Sequence, residues 1–289
     1  MTSHVDTRPL PPFAPGPATS EFDVDTAVST TGPGRFAARI TDRWNALGGG
    51  PDGGYLLTPV LRAMAVEVPG GTPLVVSASY LAAARPGEAA VCRTTLRVGR
   101  RFTTAEASLS QGDRQVVHAV ATFAGPEARV APGAGGGAAP DVSPPEDCAE
   151  PLAGVRLPGV SITDRIHHRF PEVPGWWRGR PTGNASMDVW MRFRDGRDAD
   201  PVALALLVDA APPAVLELGA PASTTLRMTV HLRARPTPGW LLARVATRHV
   251  IDGHHEEDVE IRDRAGRLVA QSRQLAVLPA GRPLKITGR

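Results

Sequence analysis

The chain carries one long pattern twice. "LVVSASYLAAARPGEAAVCRTTLRVGRRFTTAEASLSQGDRQVVHAVATF" (Leu74 to Phe123) and "TTLRMTVHLRARPTPGWLLARVATRHVIDGHHEEDVEIRDRAGRLVAQSRQLAVL" (Thr224 to Leu278) both start as an alternating run and reach an Arg-Pro pair, Arg85-Pro86 and Arg235-Pro236. Both then pass through two strand-like runs to a glycine-centred turn and a final apolar strand. A repeat this long is a duplicated domain, not a short-repeat solenoid. Each copy is preceded by a strand ("GRFAARI", "NASMDVWMRF") and by one apolar helical segment ("GGYLLTPVLRAMAVEV", "DPVALALLVDAAPPAVLEL").

The strands are predicted by their alternation. In "TTLRMTVHL", Leu226, Met228, Val230 and Leu232 alternate with Thr225, Arg227, Thr229 and His231, the two-residue period of a half-buried strand. "IDGH" (Ile251 to His254) reads as an Asp-Gly hairpin turn. One helix followed by a long antiparallel meander, given twice, predicts an α+β chain: two curved antiparallel sheets, each wrapped around a central helix and joined into one continuous sheet. That is a double hotdog. The expected division is a disordered tail over 1–20, an N-terminal hotdog over 21–124, a Gly/Pro/Ala-rich linker over 125–151, a C-terminal hotdog over 152–280 and a tail over 281–289.

Composition narrows the partners. The 32 basic residues are nearly balanced by 29 acidic ones, and no basic run is interleaved with aromatics, so nucleic acid is not an expected partner. No apolar run reaches the roughly 18 residues of a membrane helix, so no membrane partner is expected. Met1 to Ser20 is proline-rich with no apolar stretch of the signal-peptide kind. Cys92 and Cys148 are the only cysteines, and Cys148 falls in the linker, so a reducing, cytoplasmic setting is expected.

"GGGPDGGYL", from Gly48, opens the first helix with glycines. No Lys-Ser/Thr follows for a nucleotide phosphate and magnesium, and the antiparallel context is wrong for a dinucleotide fold. Close approach to another backbone is the better reading. It would place the amides of Gly53, Gly54 and Tyr55 at a partly positive helix end, where those of Gly54 and Tyr55 could polarise a substrate carbonyl. "GHHEED", from Gly253, is read as a solvated hairpin tip, so no metal and no cofactor is expected. The aromatics of "HHRF" and "PGWWRG" either line an acyl pocket or close the lid between the halves, and the structural reading is preferred.

The order and spacing of "GGGPDGGYL", "LLVDAAPPAVLEL", "ASTTLRMTVHLRARPTPGWLLARV" and "GRLVAQSRQLAVL" resemble the double-hotdog acyl-CoA thioesterases of the thioesterase II type and their actinobacterial relatives, over Phe22 to Pro279. The resemblance implies hydrolysis of an acyl thioester, carried by CoA or a carrier protein, to free acid and thiol. It also implies that an Asp, a Thr or Ser and a Gln of the second hotdog hold the attacking water. Those fall on Asp209, Thr224 and Gln274, with Thr225 as an alternative to Thr224. Aligning the two copies on their Arg-Pro pairs and final turns sets Asp209 near Pro59, Thr224 opposite Leu74 and Gln274 opposite Val120, which predicts one site per chain, built by the second copy. Two rivals stand beside this reading: a hydratase or dehydratase acting on acyl thioesters, and a non-catalytic acyl-binding or scaffold protein. Self-association is left open.

Overall fold

The computed structural model describes residues 20–278 except 67, 69, 70, 126, 127, 129–136 and 138. The tail expected over 1–20, apart from Ser20, which is buried and caps α1, the tail expected over 281–289, and much of the expected linker lie outside the described residues. In chain order the elements are α1 (Glu21–Asp25), β1 (Val28–Gly32), β2 (Arg35–Ile40), α2 (Gly53–Val66), β3 (Thr72–Tyr80), β4 (Gly87–Val98), β5 (Phe102–Gln111) and β6 (Arg114–Ala124). The second half supplies β7 (Ile166–Arg169), β8 (Ser186–Phe193), α3 (Pro201–Leu207), β9 (Thr224–Leu232), β10 (Leu241–Ala246), β11 (Val250–Ile251), β12 (His254–Asp263) and β13 (Leu268–Val277).

One antiparallel sheet runs β1-β2-β4-β5-β6-β3-β9-β13-β12-β10-β8-β7, with β11 paired to β12. The order is palindromic about the β3–β9 junction, so each strand of the first half has a partner position in the second. At that junction Ser77 pairs with Thr229, and their hydroxyl oxygens lie 2.9 Å apart. The duplicated double hotdog is therefore the architecture of the chain, with the two halves sharing a single sheet.

The two central helices follow from their sequences. In α2 every residue from Gly54 to Ala65 is buried, because the helix is enclosed by β3 to β6 on one side and α3 on the other. A helix apolar on nearly all faces is stable only in such an enclosed position. α3 begins with Asp200, whose Oδ1 accepts the Val202 and Ala203 amides at 2.9 and 2.8 Å, and with Pro201 at the first helical position. It ends at Leu207, five residues before Pro212-Pro213, which cannot continue a helix. The chain resumes as a short 3-10 turn over Ala214–Leu218. Asp209 thus falls in a non-helical turn between two buried segments.

Candidate active site

The N-terminus of α2 butts against the C-terminal end of α3, and glycine makes the contact possible. A Cβ on Gly54 would lie 2.6 Å from the Ala205 carbonyl oxygen and 2.8 Å from Leu206 Cα. A Cβ on Gly53 would lie 2.7 Å from Asp209 Oδ2 and 3.1 Å from the Tyr80 ring. The glycine pair lets one helix end approach another backbone and a carboxylate.

Asp209 Oδ2 accepts the Gly54 amide at 2.9 Å. Burial pushes its carboxyl above the ordinary range, while the Gly54 and Gly53 amides and the Gln274 side chain hold it back. The positive end of α2 thus favours the carboxylate form of Asp209. Asp52 caps the same helix, its Oδ1 accepting the Tyr55 amide at 3.0 Å. Burial, and then the neighbouring Asp209, push the Asp52 carboxyl well above the usual range. Tyr80 donates its hydroxyl to the Gly53 carbonyl at 2.9 Å, and burial raises its phenol.

These contacts correct one expectation. The Gly54 and Tyr55 amides do not face open space for a substrate carbonyl: each donates to a carboxylate, Asp209 and Asp52 respectively. The Tyr55 side chain does not line the cavity beside Asp209; it stacks on Trp44 and donates its hydroxyl to the Asp25 carbonyl at 3.2 Å.

The sheet delivers the other side of the site. Gln274, buried on β13, accepts the Thr225 hydroxyl on Oε1 at 2.7 Å and donates Nε2 to Glu257 Oε1 at 2.7 Å. Glu257 Oε2 in turn accepts the Ala214 amide at 2.8 Å. Burial, opposed by the Ala214 and Gln274 hydrogen bonds, pushes Glu257 up to about 7. Thr224 is exposed at the edge of the cavity, and its neighbour Thr225 is the threonine bonded to Gln274. A bulge explains the exchange. The β13–β9 register slips between Leu275 and Ala276, so that Arg227 and Thr225 are paired and Leu226 is passed over. The parity that would have placed Thr224 with Met228 is broken, and Leu226 is exposed.

A cavity of about 570 Å³ opens on this cluster. Asp52, Tyr80, Asp209, Thr225, Glu257 and Gln274 form its polar end, and Leu47, Leu56, Leu81, Leu152, Leu157 and Ile162 its apolar wall. The site is therefore shared: the first half contributes the α2 terminus and Tyr80, beyond the helix amides expected of it. His168, from the "HHRF" stretch, also lines the cavity. Its Nε2 lies 2.9 Å from the Ala210 carbonyl oxygen and its Nδ1 3.1 Å from that of Ile166. Burial pulls it down to about 4, opposed by the two backbone carbonyls, which favour a proton on each ring nitrogen. Among the described residues no group of three or more His, Cys, Asp or Glu could hold a metal ion.

Sequence reasoning missed Glu257, Asp52, Tyr80 and His168. For Glu257 the signal was present: "HHEEDVEI" is not a hairpin tip but the start of β12, and His255, Glu257, Val259 and Ile261 share its buried face. The "GHHEED" expectation is corrected accordingly.

A sheet closed around two buried helices, with a carboxylate, an amide and a hydroxyl at the end of an apolar cavity, defines a double-hotdog protein of the thioesterase class. The chain belongs to the acyl-CoA thioesterase family: the model of the acyl-CoA thioesterase N-terminal domain matches residues 40–124, and that of the C-terminal domain matches residues 145–278. An uncharacterised protein of Mycobacterium tuberculosis is 30% identical over 271 residues, covering 85% of this chain and 91% of the relative. Among solved structures, a candidate thioesterase II from Thermobifida fusca YX is 29% identical with a TM-score of 0.80, covering 90% of this chain and 97% of its own. A hot dog fold protein of unknown function from Alicyclobacillus acidocaldarius is 25% identical, also at a TM-score of 0.80, over 91% of this chain and 99% of its own.

Proposed function

We propose that the protein hydrolyses an acyl-CoA thioester to free acid and thiol by direct attack of water, with Asp209 as general base. The observation that carries this reading is the Asp209–Gln274–Thr225 cluster on the lining of one apolar-walled cavity, with Gln274 buried and Asp209 and Thr225 half-buried beside it. Water beside Asp209 gives up its proton to the carboxylate as its oxygen bonds to the thioester carbon. The tetrahedral centre then collapses, the carbon–sulfur bond breaks, and the thiolate leaves to be protonated. Gln274 and Thr225 hold the water's remaining hydrogen-bonding positions. The α2 amides are engaged by carboxylates and take no part in polarising the carbonyl. The apolar wall receives the acyl chain, and surface arginines meet the CoA phosphates.

A hydratase on this fold would use an Asp/His pair. His168 reaches the cavity, but both its ring nitrogens lie against backbone carbonyls. The test is thiol release across short, medium, long and aromatic acyl-CoAs by wild type and Asp209→Asn. Wild type should turn over at least one class, and Asp209→Asn should lose about a thousandfold in kcat while keeping its thermal unfolding profile. Wild-type turnover in Asp209→Asn would overturn the assignment. Tight binding of acyl-CoA by wild type without thiol release would identify an acyl-binding protein instead.

A further inference from the structure

Glu257 has no task in the reaction as written, yet it is 3% exposed and, among the described residues, forms no ion pair. A buried carboxyl without a cation is destabilising unless its hydrogen bonds are satisfied. The fold does not require it. Gln274 lies opposite Glu257 on β12 and opposite Met228 on β9. The symmetry-related strand β6 has Ala121 opposite Val76 of β3 and opposite Ala105 of β5. Alanine therefore holds the position of Glu257 in the first half.

The chemistry of its contacts is directional. An ionised carboxylate only accepts hydrogen bonds, so Glu257 compels the NH₂ end of the Gln274 amide to turn toward it. The same end of the amide faces the Asp209 carboxyl, whose ionised form it favours, and the amide oxygen is left to accept the Thr225 hydroxyl. With the amide reversed, its oxygen would face two carboxylates and Thr225 would lose its acceptor. The Ala214 amide fixes the carboxylate from behind at 2.8 Å.

We infer that Glu257 is a positioning residue for hydrolysis: it sets the orientation of the Gln274 amide, and through it the Thr225 hydroxyl, so that the attacking water meets one fixed pattern of donors and acceptors. The inference rests on the proposed function for its kinetic consequence. The other ionisable groups around Glu257 are accounted for. Asp209 lies across Gln274, Asp52 and Tyr80 stand at the α2 and β3 side of the cavity, and His168 reaches it from β7. Asp258, next in the chain, is paired with Arg248 and Arg273. Burial places the ionisation of Glu257 at about 7, so the orienting charge is switched within the neutral range.

Two measurements test this. In steady-state kinetics across neutral pH, Glu257→Gln should lower kcat by about thirtyfold with KM within about twofold, and should lose an inflection near neutrality that wild type shows as a rise in kcat with pH. In ¹⁵N-labelled protein, the side-chain NH₂ resonances of Gln274, identified by their loss in Gln274→Ala, should shift with a midpoint near neutrality in wild type and stay fixed in Glu257→Gln. Wild-type kcat and pH profile in Glu257→Gln would overturn the inference, as would Gln274 resonances that do not titrate in the native protein. If wild type cleaves no acyl-CoA, the proposed function falls, and the resonance experiment still decides whether Glu257 governs the amide.

Discussion

An aspartate caps each central helix, Asp52 on α2 and Asp200 on α3, but the two ends are filled differently. Around Asp52 stand Asp209, Thr225, Glu257 and Gln274. In step with the caps and the strand registers, the corresponding positions near Asp200 are Leu61, Pro73, Ala105 and Ala121. These replace the pairings with Pro59 and Val120 expected from the sequence. The Asp200 end is closed by α1. Asp23 accepts Arg197 at 2.8 and 2.9 Å and Arg62 at 2.6 Å, and Arg197 also reaches Asp200 at 2.6 Å. Arg197 lies over the Phe22 ring at 4.7 Å. Despite the burial that opposes it, this pairing, led by Arg197, holds Asp23 down at about 2. One end neutralises its carboxylates with guanidinium groups and becomes structure. The other leaves its carboxyls facing amides and an open cavity.

Breaking the closed end should cost stability and spare rate. Arg197→Ala leaves Asp200 partly buried without its cation and Asp23 with Arg62 alone, and should lower the unfolding free energy by about 3 kcal/mol in denaturant titration while kcat of the folded enzyme is unchanged. The open end should show the opposite pH response. Glu257 is raised from 4.5 to about 7, so the stability tied to its protonated form is full below pH 4.5 and is lost as pH rises through about 7. Wild type should lose about 3 kcal/mol across that window relative to Glu257→Gln. Asp52 and Asp209 shift in the same direction but are present in both proteins, so the difference isolates Glu257.

Smaller changes sharpen the contrast. Gln274→Ala should reduce kcat about a hundredfold, whereas Ala121→Ser at the matching place should leave it unchanged. Gly54→Ala, where α2 meets the Ala205 carbonyl, should destabilise by about 2 kcal/mol; Val202 occupies the same position in α3 without strain on this contact. Thr225→Ala should lower kcat about tenfold and Thr224→Ala should not, which separates the bonded threonine from its exposed neighbour.

The architecture was legible because its signals are local and repeated. The alternation through Met228, Val230 and Leu232 and the paired Arg-Pro turns do not depend on distant contacts. Asp209 and Gln274 were readable as polar residues inside apolar patterns, with the resemblance to guide the choice. Thr225 could not be separated from Thr224, since a bulge of one residue leaves no mark in a strand composed of good strand formers. The occupancy of the α2 amides was hidden for a different reason. Asp209 reaches Gly54 across 155 positions of sequence, and only tertiary packing brings a carboxylate to that helix end.

The central claim is that water held at Asp209 attacks the thioester directly. A single turnover of acyl-CoA by excess enzyme in oxygen-18 water, followed by mass analysis of the acid, tests it most directly. Direct attack predicts oxygen-18 in the acid released in that first turnover. Acid carrying only oxygen-16, the label appearing on the Asp209 carboxylate instead, would mean that the carboxylate itself forms the new bond, and would contradict the account.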